Sequence, residues 1–279
     1  MPVSLLLCEG GEKSPDIRVL RAILSGINMT IRSSGGKYGL GTIVLAQREA
    51  KNTQSIAGIL DRDFDDSVEV PNNQPRIWQN NDGHILFGWR WERCEIENYL
   101  IDLGVVRRVI PSRFPGVDEY AQALDRAVSR ISTYSAARAA LSISRRRFTP
   151  LKNCWGRESN LKHQFPDNTT DQDCIVGIGI ALSEYQDCVG VTNDEVVHQF
   201  ENQRPIFSPG GIKHNHFLNY YSGKDLMVSM TPDLNLWGFA SPKVFREAVL
   251  SGIERSSEDI WQWLPEWGNL RAQIENFQN

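Results

Sequence analysis

The chain has no C-x-x-C pair among its five cysteines, Cys8, Cys94, Cys154, Cys174 and Cys188, so neither a zinc knuckle nor a disulfide framework is expected. Unpaired thiols fit a reducing cytosol. No stretch is apolar for long enough to span a bilayer. The opening apolar run, residues 3–8, is too short for a secretory signal, lacks a basic flank and stops at Glu9. No G-x-x-x-x-G-K-[ST] motif occurs, which excludes a P-loop ATPase function of the chain's own. Internal repeats and low-complexity tracts are absent, and an apolar fraction of 41% excludes general disorder. There is no excess of positive charge. At −4 over 279 residues the chain has no overall attraction for polyanions. Any contact with nucleic acid must come from a local basic patch, a metal site or a partner.

What is present reads as one α/β domain with a helical elaboration. Residues 3–8 are a continuous apolar run, the pattern of a parallel strand buried on both faces. Glu9-Gly10-Gly11 then makes a tight turn. Ser14-Pro15 supplies an N-cap with proline at the first helical position, and Ile17, Leu20, Ile23 and Leu24 recur on one face up to Gly26. Residues 42–45 and 55–60 read as further strands, the second running into Asp61-Arg62-Asp63-Phe64-Asp65-Asp66. Ligands of open α/β sheets bind at the carboxyl ends of strands. If the first and last of these strands are neighbours, Glu9 and the Asp61/Asp63 pair share a site.

Residues 72–82 are polar and turn-rich, and 84–89 are apolar. Tyr120, Leu124, Val128, Ile131 and Leu141 mark a long helix over 119–147, ending in Arg145, Arg146 and Arg147. A capping box, Thr192-x-x-Glu195, and a tryptophan-rich helix around Trp261, Trp263 and Trp267 follow. The expected organisation is a core over 1–104, a mainly helical elaboration over 105–205, and a segment over 206–279 that packs on the core.

Asp61-x-Asp63 past a strand can turn both carboxylates toward one cation, because alternate residues of an extended chain point the same way. Mg²⁺ takes carboxylate and water oxygens and leaves room for substrate phosphate, so a Glu from one strand and two Asp from another suit it. Alone, D-x-D also marks a solvated acidic turn, or the nucleophile of a haloacid-dehalogenase-type phosphohydrolase. In that class it follows the first core strand, where this chain carries Glu9. His214-Asn215-His216 spells HNH only literally, since that nuclease class disperses its residues over a ββα element. The arginine run reads as a solvated helix end suited to the helix dipole. Trp89, Trp91 and the C-terminal tryptophans read as packing residues before base-stacking ones.

Residues 5–10 with the following helix, and then Ala57-Gly58-Ile59-Leu60-Asp61-Arg62-Asp63, resemble the Toprim pattern of nucleases, primases and topoisomerases. The segment Glu95-Ile96-Glu97-Asn98-Tyr99-Leu100 resembles the one after D-x-D in a Toprim family similar to the nuclease half of the overcoming-lysogenization-defect (OLD) proteins. That family includes the Toprim effector of the PARIS anti-phage system. The resemblance is closest over residues 3–104. It implies an α/β fold with a Toprim-like, mostly parallel sheet flanked by helices, and a helical insertion or C-terminal elaboration.

For the site, the resemblance implies Glu9, Asp61 and Asp63 as metal-binding catalytic groups, Asp65 and Glu97 as further ligands, and one or two Mg²⁺ or Mn²⁺ ions. Glu95 and Glu97 would face one site only on an extended stretch, since on a helix they diverge by roughly 200°. Ser222-Gly223-Lys224-Asp225-Leu226 resembles a late Gly-Lys element whose lysine lies near the scissile phosphate, where an ammonium neutralises developing charge. Glu12, Asp16, Glu95 and Arg62 are candidates to support the ligands or touch substrate. The turn here reads Glu-Gly-Gly-Glu-Lys-Ser instead of a shorter Glu-Gly-x-x-Asp, so Glu12 and Asp16 do not align simply.

The implied activity is a metal-dependent endonuclease acting on RNA, including tRNA, or on DNA. The implied setting is anti-phage defence beside an ABC-type ATPase encoded nearby, as a cytoplasmic homodimer without membrane attachment. The competing readings are a non-catalytic Toprim scaffold in a nucleic-acid complex and the phosphohydrolase named above.

Overall fold

The computed structural model describes residues 2–35, 39–80, 82–147, 170–183 and 191–277. In chain order its elements begin β1 (Leu5–Cys8), α1 (Pro15–Ile23), β2 (Thr30–Ser33), α2 (Leu40–Lys51), β3 (Ile56–Leu60), β4 (Arg76–Gln79), β5 (Leu86–Arg90), α3 (Glu97–Leu100) and α4 (Leu103–Val109). Then come α5 (Val117–Arg147), α6 (Asp171–Ser183), α7 (Asn193–Phe207), α8 (Ile212–Asn215), α9 (Phe217–Tyr220), α10 (Gly223–Ser229), α11 (Thr231–Leu236), α12 (Pro242–Arg255) and α13 (Pro265–Glu275). No described helix is long and apolar enough to cross a membrane.

The chain divides into two compact units: Met1–Arg62 with Pro71–Pro111 and Arg246–Asn279, and Asp63–Val70 with Ser112–Phe245. The first unit takes up the chain again at Arg246, and the Gly-Lys element at 223–224 lies in the second. The second unit also takes a short piece, Asp63–Val70, straight after Arg62 of the D-x-D. Local periodicity carries no sign of that.

The first unit is α/β, built on a five-stranded sheet in the order β2-β1-β3-β5-β4. β1 pairs in parallel with β2 on one side and β3 on the other, and β3 pairs in parallel with β5. Only the edge strand β4 is antiparallel. All four residues of β1 and all five of β3 are buried, as their unbroken apolar sequences predict. Leu5, Leu7, Ile56 and Leu60 of these strands pack with Leu40 and Val44 of α2.

Residues 42–45, expected as a strand, lie inside α2. The apolar run is too short to separate a strand from a helix, and the spacing of Leu40, Val44 and Arg48, all buried, is the helical i, i+4 repeat. The buried Arg48 donates from Nε to the Ile56 carbonyl at 2.7 Å, closing the α2–β3 connection. The second strand in the chain is instead Thr30–Ser33, a half-exposed edge with no apolar run to announce it.

α13 closes this unit. Trp267 is fully buried, and Glu266 at its start is 4% exposed. The Glu266 carboxylate accepts from the Glu92 N–H at 2.7 Å and from the Tyr99 hydroxyl at 2.6 Å. Burial, helped by the charge of Glu92, raises its pKa from 4.5 to about 6, although both hydrogen bonds and Arg93 pull it back. The folded state therefore holds this proton more tightly than the unfolded chain. Its contribution is present below pH 4.5 and is lost as pH rises through about 6, a change of about 2 kcal/mol. Glu266→Gln should flatten that part of the pH–stability curve. Urea midpoints of the two proteins between pH 4 and 7 read it; parallel curves would refute the assignment.

The second unit is helical, without a strand among its described residues. α7 begins with the expected capping box, Thr192 with Glu195, and packs along α5. His214 and Asn215 end α8 and His216 starts the next turn, so the HNH string lies on no ββα element. The side chains of Arg145, Arg146 and Arg147, like Cys154 and Cys188, lie outside the described residues. Cys8, Cys94 and Cys174 are buried and form no disulfide.

Candidate functional site

The chain leaves β1 for β2 on one side and returns to β3 on the other, so β1 and β3 flank the point where strand order reverses. At such a point a crevice opens beyond the carboxyl ends of the strands. Glu9 follows β1 directly and Asp61 follows β3 directly. Their strands pair in register, Cys8 opposite Ile59, and Glu9 accepts the Asp61 N–H on Oε1 at 3.2 Å. Two carboxylate-bearing residues 52 positions apart thus meet at one edge, and both are half-buried.

The turn after Glu9 is shaped by Gly10. Its φ of +81° is left-handed, and a Cβ there would lie 2.7 Å from the Ser14 side chain. Ser14 accepts from the Ile17 N–H and caps α1, and the Ser33 hydroxyl bonds the Gly10 carbonyl. α1 therefore starts close under the turn, with Asp16 half-buried in its first turn. Behind the turn, the buried Cys8 thiol reports the local field. Its pKa is pushed far up by burial first, then by the charges of Asp16, Glu9, Asp61 and Glu12. Negative charge is concentrated here, where a cation is favoured and a bare phosphate is repelled.

Asp63 behaves differently from the expectation. Its φ is +54°, left-handed and not extended, a conformation that aspartate tolerates better than most residues. Strand alternation therefore does not align Asp61 with Asp63; the chain turns between them. Asp63 opens the piece of chain that belongs to the second unit. Asp65, in that piece, accepts the Ser67 N–H on Oδ1 at 3.1 Å, a turn bond of its own.

Of the other candidates, Arg62 is 2% exposed and donates to the Glu92 carbonyl at 2.9 Å. Its guanidinium serves the strand end and offers no surface to a substrate. Glu92 also binds Arg76, at 2.5 Å. Glu12 is exposed and paired with Arg21 at 3.2 Å. Glu95 is buried just before α3, with its N–H on Asn98 Oδ1 at 3.0 Å. Glu97, the first residue of α3, is 2% exposed and lies 3.3 Å from the Arg246 guanidinium. An ion pair and a favourable helix start thus already account for its charge. Lys224 is half-buried at the second position of α10, behind the Ser222 cap. Trp89 and Trp91 are 2% and 1% exposed, so both are core residues with no face left for a base.

The donors at the β1 and β3 ends are carboxylate oxygens on rigid strands, chemistry that suits a hard divalent cation. Among the described residues, no three His, Cys, Asp or Glu side chains meet closely enough to form a metal-binding group by themselves. Mg²⁺ commonly takes one or two carboxylates and completes its shell with water and substrate phosphate, and the carboxylates of Glu9 and Asp61 are donors of that chemistry. Compared with known protein families and with curated proteins, the chain matches none.

Proposed function

We propose that the protein is a Mg²⁺-dependent endonuclease whose metal is held by Glu9 and Asp61; the Toprim resemblance adds Asp63, two residues further along the chain, as a third carboxylate. The single observation that carries the reading is the 3.2 Å contact between Glu9 Oε1 and the Asp61 N–H at the strand-order reversal. When bound, the divalent cation supplies Lewis-acid stabilisation of the phosphoryl oxygens and lowers the pKa of an attacking water. Glu9 and Asp61 would hold it at the carboxyl ends of β1 and β3, and the surrounding negative charge would keep phosphate away unless a cation is present.

The Toprim resemblance extends the proposal: Lys224 as the ammonium that neutralises charge growing on the phosphoryl group; RNA, including tRNA, or DNA as substrate; an ABC-type ATPase partner; a homodimer; a role in anti-phage defence. A net charge of −4 agrees with delivery of the substrate by metal or partner and not by a basic surface.

Metal removal tests it. Purified protein, with and without a co-encoded ATPase, is given plasmid DNA and total tRNA. Cleavage should vanish in EDTA and return with Mg²⁺ or Mn²⁺. Saturating metal at about 100 times its Kd should also stabilise the fold by about 2.7 kcal/mol against urea. Cutting that persists in EDTA overturns the proposal. Binding without cutting points to a scaffold, and phosphate release from small monoesters to a phosphohydrolase.

A further inference from the structure

We infer that Lys213 is a positioning residue for the acidic segment Asp63–Val70, holding by its main chain the piece that carries Asp63. For its functional half this rests on the metal site proposed above.

Lys213 is 1% exposed, far outside the usual habit of lysine. Its Nζ donates to the Asp65 carbonyl at 2.9 Å and to Gln203 Oε1 at 3.1 Å. The ammonium also lies 5.1 Å and 5.3 Å from the ring centres of Phe207 and Tyr220, whose faces favour a cation. The lysine is thus held by two helices and spends a hydrogen bond on the acidic segment.

It does not act alone. The Ser142 hydroxyl, buried on α5, donates to the Phe64 carbonyl at 3.1 Å, and the Tyr220 hydroxyl bonds the Glu69 carbonyl. Three side chains of the helical unit therefore take three main-chain carbonyls of one short segment. All three of these bonds end on main-chain oxygens. That is the arrangement expected where a non-glycine residue such as Asp63 must be kept at φ +54°, because such a conformation persists only when its surroundings over-determine it.

The local sequence delivers the lysine. Gly211, the residue before α8, sits so close to the end of α7 that a Cβ would be 2.3 Å from the Ile206 carbonyl oxygen and 2.5 Å from that of Pro205. Only glycine lets α8 approach α7 this closely, and the approach puts Lys213 beside Gln203 and Phe207.

Lys213→Met keeps the apolar stem between Phe207 and Tyr220 and removes the donor. Amide exchange over residues 64–67 should rise about tenfold or more, while α5 and α7 stay protected, because a hydrogen bond from a charged donor is lost. Mn²⁺ affinity, read by electron paramagnetic resonance, should fall about tenfold without a matching loss of global stability. Ser142→Ala should produce the same pattern at about fivefold, the scale of a neutral bond, and serves if the lysine variant fails to fold. Wild-type exchange in both variants overturns the inference. So does faster exchange with unchanged Mn²⁺ affinity, which would make the contact a structural tether only. Wild-type protein that takes up no Mn²⁺, while Lys213→Met still loosens the segment, would remove the metal proposal and the positioning role with it.

Discussion

Asp61→Asn should lower Mg²⁺-dependent cleavage on the order of a thousandfold, the scale on which loss of one preorganised electrostatic group is felt. The substitution keeps the main-chain N–H that Glu9 accepts, so the strand ends stay together while one anionic oxygen is lost. Glu9→Gln should do the same, and the double variant should be scarcely worse than either, because groups serving one ion act as a unit. Glu12→Gln is the internal control. Its carboxylate is exposed and paired with Arg21, and activity should stay within about twofold of wild type.

Stability separates a functional from a structural role at the same position. Asp61 is one of four carboxylates whose charge acts on the buried Cys8 thiol. Removing one of them relieves like-charge repulsion, so Asp61→Asn in EDTA should melt at or slightly above the wild-type temperature. An inactive variant with an undiminished melting temperature is the expected pair of results. Full activity in Asp61→Asn would sink the metal site, and a large drop in melting temperature would recast Asp61 as a structural residue.

The parts of this arrangement visible in the sequence are those set by short-range physics. β1 and β3 are continuous apolar runs bounded by Glu9-Gly10-Gly11 and by Asp61, so strands with acidic ends follow from composition alone. The Ser14-Pro15 start and the Thr192 capping box are legible too, because capping is decided within four residues. That β1 and β3 are neighbours is not a local property, and the register of Cys8 with Ile59 supplies it.

What the sequence hides depends on longer range or on weak pattern. β2 and β4 are four-residue edge strands with alternating exposure, too short and too polar to stand out from turns. The left-handed Asp63 has no local signature, since aspartate is equally at home in an extended stretch. Lys213 cannot be found by composition, because lysine is a surface residue by default and its four-residue helix has no periodicity. The close packing permitted by Gly211 next to Ser208-Pro209-Gly210 is the nearest thing to a clue.

The other large effect lies in the second unit. Arg138 of α5 and Asp225 of α10 form an ion pair with side chains only 7% and 4% exposed. The Arg138 guanidinium also stacks 5.0 Å from the centre of the Phe64 ring, one residue past Asp63. Asp225 in turn takes its place in the first turn of α10 behind the Ser222 cap, with its N–H on the Ser222 hydroxyl at 3.2 Å. Breaking a buried pair by removing one partner costs more than the pair contributes, because the remaining charge stays desolvated. Asp225→Asn should therefore destabilise the protein by about 3–5 kcal/mol in urea unfolding. That is a large share of the roughly 5–15 kcal/mol typical of a folded chain. The double replacement Arg138→Met with Asp225→Leu, which fills similar volume without charge, should recover most of the loss. Since Arg138→Met gives up the cation–π contact with Phe64, the recovered protein should still show faster amide exchange around residue 64 than wild type. A loss below about 1 kcal/mol in Asp225→Asn would mean that water reaches the pair and that Arg138 is held by Phe64 and its helix neighbours instead.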